Sequence, residues 1–503
     1  MKAAFWVAAV AQQGGSSRAI NGPYPGAELR PCAGSASGLN GRQVHLLALA
    51  LMLSGGPFVC NAQTSNFSQV VALPASVAAG ALPESAPFLL ANSAWTQRSV
   101  ADRATQLAAG QFNSGSWDMI DSNRSGPDAG RYLFMGFETA QAGIQRHDRL
   151  TGTTITLWQA SSAGSAVAFD ASRWTPFGTY LTAEESWGAQ PQRYGRLFEL
   201  INPVSASAGS GQLVHANAVA RVAHEGLAFD KNNNLYYIDE LNGGSVYRYS
   251  SATPNTGAIF FNGGTNSVLR VGDGNTADAT GSFNWVPFTS ATGAALPGAV
   301  TITDPNGVSA VDGRASTQLA AFKGTGYQRP EDLEIQTKAN GDQVLYMTAT
   351  SNHVVYSINL ATNRVQTFVS RATVDAATGL PVGLAFTNPD NLAIDADGNI
   401  YIVEDQPAGQ SDIWLAKDVN GDGVAESVSR WATLATVGSE PTGLYFDITN
   451  PNRAYINVQH PSSGVDRLIE ISAVPEPASN ALMLSGLTGL ALWVARARRR
   501  RTA

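Results

Sequence analysis

Through the middle of the chain, apolar and polar positions alternate in short runs separated by Asn, Asp and Gly, and the arrangement recurs. One unit reads Glu225-Gly-Leu-Ala-Phe-Asp230, a Lys-Asn-Asn-Asn turn, Leu235-Tyr-Tyr-Ile-Asp-Glu240, a loop, then Ser245-Val-Tyr-Arg-Tyr249. A second reads Asp390-Asn-Leu-Ala-Ile-Asp395, an Ala-Asp-Gly-Asn turn, Ile400-Tyr-Ile-Val-Glu-Asp405, then Asp412-Ile-Trp-Leu415. Units opening at Glu331 and Gly443 follow the same plan, and Arg131 to Glu138 and Gly178 to Glu185 are degenerate members. Period-two alternation bounded by such turn residues predicts strands and hairpins. Equivalent strands recur about every 46 to 56 residues, with one gap near 110, and periods of that size predict propeller blades. The expectation is an all-β protein, a β-propeller of about six blades over residues 63–473. Residues 64–130 supply an initial strand and loops, and 251–320 form a long inter-strand insertion. A β-sandwich is the alternative, but it leaves the three-strand repeat unexplained.

The two ends break this pattern. Arg42 and His45 precede an apolar run from Leu46 to Leu53, and Cys60-Asn61-Ala62 follows as a small-x-small site. That order predicts a secretory signal cleaved after Ala62, with residues 1–40 an overcalled start. At the other end, Val474, Pro475, Glu476 and Pro477 make a stiff extended element. An uncharged stretch over 478–495 is just long enough for a transmembrane helix, and Arg496 and Arg498 to Arg501 follow as a cytoplasmic stop. A plain single-pass anchor is the alternative to a sorting signal.

Composition narrows the chemistry. The 503 residues carry a formal net charge of −7, and five of the 32 basic residues lie in the last ten, so the body is more acidic than the total. So acidic a body lacks the basic patches that nucleic-acid binding requires. The cysteines are Cys32 and Cys60, both ahead of the expected cleavage site, so the mature chain has no disulfide, thiolate ligand or cysteine nucleophile.

Carboxylates remain. The strands opening at Glu225, Glu331 and Asp390 begin with an acid at the same phase and are expected to line the central channel. The next strand runs antiparallel, and its end is acidic again: Glu138, Glu184 and Glu185, Asp239 and Glu240, Glu404 and Asp405. A ring of acids at one channel mouth needs protons or a cation, and oxygen donors without thiolates favour calcium, magnesium or manganese. A second candidate calcium loop is Asp418, Asn420 and Asp422, with Ser429 where the usual bidentate acid would stand. Arg329 lies at the same rim and suits an oxyanion. His460 is placed to bind a metal or move a proton.

At these motifs the sequence resembles the PhoX-type alkaline phosphatases, a family of secreted bacterial propellers. The stretches that carry the resemblance are Trp174 to Glu185, His224 to Asp230, Arg329-Pro-Glu331, Pro389 to Leu392 with Glu404-Asp405, and Glu440 to Gly443 with Gln459-His-Pro461. The resemblance implies phosphate-ester hydrolysis at a calcium–iron cluster. Glu184, Glu225, Glu331 and Asp405 would be metal ligands, and Arg329 would bind the phosphoryl oxygens. Where that family's motif has a cysteine that ligates iron, this chain has Ala183, which puts iron in doubt and leaves calcium on the carboxylates. The tail resembles the PEP-CTERM signal of Gram-negative bacteria. This implies an exosortase and the export machinery as partners, transient membrane anchoring, then a cell-surface or extracellular location with a phosphate ester or exopolysaccharide as ligand. Two other functions fit the same residues: a non-catalytic calcium-stabilised surface or matrix protein, and a calcium-dependent lactonase.

Overall fold

The computed structural model describes residues 65–186, 194–304, 307–405 and 410–473. The signal segment, both cysteines, Val474 to Pro477 and the 478–495 stretch lie outside the described residues. No helix among the described residues is long and apolar enough to cross a membrane.

The strands group into six blades of antiparallel sheet. Their inner strands are Trp117–Ser122, Arg173–Trp174, Leu227–Phe229, Pro330–Thr337, Pro389–Ile394 and Glu440–Phe446. The third and fourth blades join edge to edge, because Gly281–Pro287 of one pairs with Arg364–Val369 of the other. Within the stretch read as an insertion, Gly264–Val271 and Gly281–Pro287 are strands of the third blade. The 3-10 turn Gly257–Asn262, the hairpin Thr301–Thr303/Ser309–Val311 and the short helix Gly313–Gln318 stand outside that sheet. The stretch read as initial loops holds the inner strand of the first blade, which its Trp-Asp-Met-Ile-Asp-Ser sequence disguises because all six residues are buried.

The ring is closed by the N-terminal part of the propeller. Thr96–Asp102 is the outer strand of the sixth blade, paired with Arg467–Ser472, and Phe88–Leu90 pairs with Ser427–Leu434 of the fifth. Phe67, from the same arm, is fully buried against Trp95, Trp431 and Phe446 between those two blades.

The recurring turn has a local cause. Asp230 Oδ1 accepts the Asn232 and Asn234 amides at 2.8 Å, and its Oδ2 accepts the Tyr236 hydroxyl. Asp395 does the same with Asp397, Asn399 and Tyr401. One acid thus fixes the hairpin and ties it to the second strand.

Candidate metal centre

Successive side chains of a strand point to opposite faces, so the paired residues ending each second strand have different roles. The first member turns into the blade. Glu184 is fully buried, and Arg196 reaches it through Nε at 2.9 Å and Nη2 at 2.5 Å, with the Val167 amide at 3.2 Å. Asp239 pairs with Arg314, whose Nε lies 2.8 Å away. Glu404 accepts the Thr387 amide at 2.8 Å and the Trp414 indole at 2.9 Å. The oxygens of Glu184 and Glu404, both expected as metal ligands, are thus engaged by protein donors. The second members, Glu185, Glu240 and Asp405, join Glu138 at the channel mouth, where they act electrostatically on one another and on the acids of the inner strands.

Those inner-strand acids are Asp118, Asp170, Glu225, Glu331 and Asp390, and a bulge aims them. In the first, fourth and fifth blades two residues face one partner: Asp118-Met119, Glu331-Asp332 and Asp390-Asn391. Such bulges re-aim side chains out of the ladder. Ahead of them, Ser116, Ala168, Arg329 and Asn388 hold φ between 42° and 59°. In that conformation their carbonyls accept the amides of Glu138, Glu185, Thr350 and Asp405, each at 2.9 Å. Left-handed backbone at non-glycine residues is costly and clusters at functional sites. The rim is thus one device repeated around the ring.

At its centre, carboxylate oxygens of Glu225, Glu240 and Glu331 lie within 4.8 Å of one another, and all three residues are buried. Arg329 sits on them, 2.9 Å from Glu240 and 2.8 Å from Glu331, with Asp405 at 3.9 Å. Burial, then the charges of Glu331 and Asp390, hold Glu225 well above the ordinary carboxylate range. Burial and Glu331 do the same to Asp390. Burial, with Glu440 beside it, pushes Asp405 up to about 9, and burial takes Asp118 to about 6. Glu440 is the exception: burial would raise it, but His460 Nε2 at 2.9 Å and Asp405 bring it down to about 2. His460 in turn rises to about 9 through that hydrogen bond. His460 is thus engaged with an acid at the rim.

The donor set fits a hard cation. Oxygens of Asp170, Glu225 and Asp405 are buried without a hydrogen-bond donor, and buried carboxylate oxygens in that state need a proton or a metal ion. Among the described residues the set holds no soft donor. Ala183 is fully buried with Ala171, Leu181 and Leu197 in an apolar cluster that includes residues of the second and third blades, so a side chain there faces packing. In the second candidate loop each side chain accepts amides of the turn itself. Asp418 accepts the Gly421 and Gly423 amides and pairs with Lys338 at 3.2 Å, Asn420 accepts the Asp422 amide, and Asp422 accepts that of Val424.

Sequence reasoning passed over Asp118 and Asp170, and named Glu440 only as part of a motif. A signal existed for two of them: Trp117-Asp118 and Phe169-Asp170 stand in register with Pro330-Glu331 and Pro389-Asp390.

Residues 170–462 match the sequence profile described as Alkaline phosphatase PhoX. The chain belongs to that family. Residues 473–500 match the PEP-CTERM protein-sorting motif, which implies export with membrane-anchored sorting. Among solved structures, Pseudomonas fluorescens PhoX in complex with vanadate, a transition state analogue, superposes with a TM-score of 0.51 at 16% identity, covering 79% of this chain and 97% of that one. A Xanthomonas campestris gluconolactonase aligns with a TM-score of 0.41 at 13% identity, over 80% of this chain and 98% of that one. No curated protein matches the chain at the sequence level. At such identities the PhoX likeness speaks for a shared propeller fold, and the profile match supplies the family.

Proposed function

We propose that this PhoX-family propeller binds calcium at Glu225, Glu240 and Glu331, and hydrolyses phosphate monoesters outside the cytoplasm. The observation that carries the reading is one juxtaposition: three buried carboxylates within 4.8 Å, with the Arg329 guanidinium on two of them. A bound divalent cation would supply Lewis acidity toward phosphoryl oxygens and neutralise developing charge. The chain's own residues do the rest. Arg329 keeps its proton, because the charges of Glu331 and Glu240 outweigh its burial. It is the group suited to hold two phosphoryl oxygens. Glu185, Asp390 and Asp405 complete the oxygen donors around the mouth. His460, protonated against Glu440, would be the proton donor to a leaving alkoxide. Processing of the tail by an exosortase would release the protein to the cell surface or beyond, where a phosphate ester or a phosphorylated exopolysaccharide is the substrate.

A second reading is supported by Ala183. With no thiol at the centre, calcium would brace the six blades and no reaction would follow. One experiment separates the two. Metal analysis and turnover of a chromogenic phosphomonoester are measured on purified protein supplied with calcium, iron or both. Bound calcium with turnover, and a loss of about 100-fold or more in Arg329→Ala, support the enzyme. Bound calcium with no turnover under any supply leaves the structural role.

A further inference from the structure

Past the acid ring the inner strands continue to the other end of the channel. One residue beyond the rim acids, a polar layer crosses it: the Thr442 hydroxyl donates to Asn391 Oδ1 at 2.7 Å and also reaches Asp118, and the Asn391 amide donates to Glu225 at 3.3 Å. Beyond this layer lies a cavity of about 560 Å³, lined by residues of the first, second, fourth, fifth and sixth blades. Nothing in the proposed phosphatase site uses it.

The cavity's chemistry is mixed. Ile120, Ile335, Ile394 and Leu444 supply apolar wall. Asp121 holds Arg124 through Nε at 2.8 Å, and Asp121 itself is pinned by the Trp174 amide at 2.7 Å. The guanidinium lies 5.7 Å from the centre of the Tyr445 ring, and the Arg124 side chain is 42% exposed. Its two Nη groups donate to no protein group among the described residues. Arg173 spends Nη2 on Glu334 at 2.8 Å and on the Leu333 carbonyl at 3.2 Å, while its Nε is buried with no acceptor. A guanidinium fork held at one edge and open at the other matches a planar or tetrahedral oxyanion. An orphaned buried donor is a cost that a ligand acceptor would remove. The aromatic and aliphatic walls suit the faces of a small ring, and Glu334 accepts hydroxyl protons. The volume lies within the range of small-molecule sites.

We propose that this end of the channel is a second ligand site, for a compact hydroxylated oxyanion of the sugar-acid or sugar-phosphate class. Arg124 takes the oxyanion, and Tyr445 with Ile120 and Ile394 takes the ring.

The test is calorimetry on calcium-loaded protein. The probes are glucuronate, glucose 6-sulfate (a phosphate mimic that a phosphatase leaves intact) and inorganic sulfate. At least one sugar probe binds, and tighter binding of glucuronate or of the sulfate distinguishes a carboxylate from a phosphate source. Arg124→Met weakens binding at least tenfold, and so does Ala396→Trp, which blocks the exposed lip without touching the polar network. The proposal falls if neither sugar binds, if inorganic sulfate binds as tightly as the sugars, or if both cavity variants bind as the parent does.

Discussion

Two adjacent glutamates of one motif, Glu184 and Glu185, have opposite fates, and the difference can be measured. Glu184 neutralises Arg196, which is only 2% exposed. Removing one partner of such a pair strands the other charge in the interior, at about 3–5 kcal/mol. Glu184→Gln is therefore expected to destabilise the protein by that order in urea denaturation, equally with calcium and with chelator. Glu331→Gln removes a carboxylate from a crowded acidic site, so the chelated protein should hold or gain stability while the stabilisation by calcium collapses. Equal calcium responses in the two variants would contradict this division of roles. The sequence alone could not make it, because the alternation that separates neighbours is visible only once the strand's two faces are known. Both residues satisfy the same motif, and the partner that decides between them, Arg196, stands just ahead of the next strand of the same blade.

Elements explain what was legible and what was not. The hairpins around Asp230 and Asp395 could be read because turn, acid and tyrosine are all local. The inner strand of the first blade escaped because it is buried on both faces and loses the alternation that marks a half-exposed strand. The bulges escaped because an extra residue changes no composition. Their importance can be tested at Gly443, in the bulge of the sixth blade. It holds φ at +63°, and an added Cβ would stand 2.6 Å from the Ile120 amide nitrogen and 2.8 Å from the Met119 Cα. Gly341 also has positive φ, at +85°, but a Cβ there meets nothing within 4 Å. Gly341→Ala should cost about 1 kcal/mol from backbone strain alone. Gly443→Ala should cost clearly more and weaken calcium binding, since it pushes on the strand that carries Asp118. If the two variants match in stability and calcium affinity, close approach of the inner strands does not shape the site.

At the scale of the molecule, a propeller must close, and this one closes with its N-terminal arm while concentrating acid at one mouth. Closure holds the acids together against their own repulsion, so stability should report their charge. The sign follows from the shifts. Asp405 titrates at about 9 and Asp118 at about 6 in the fold, and Glu225 and Asp390 are also raised. A carboxyl raised on folding contributes fully below its unfolded value near 4, and that contribution is lost as pH rises through the folded value. His460, raised to about 9, adds in the same direction: its contribution is full below about 6.5 and disappears through 9. Glu440, lowered to about 2, acts only in acid and leaves this window untouched. Chelated protein should therefore melt at progressively lower temperature from about pH 5 to about pH 9. Calcium competes with those same protons, so its stabilisation should grow across the same range and flatten the profile. The measurement is thermal unfolding followed by circular dichroism at several pH values, with excess calcium and with chelator. A chelated protein whose melting temperature is level or rises toward pH 9 would mean that the ring is neutralised by something other than protons and metal. The joint placement of Glu225, Glu240 and Glu331 would then need a different explanation.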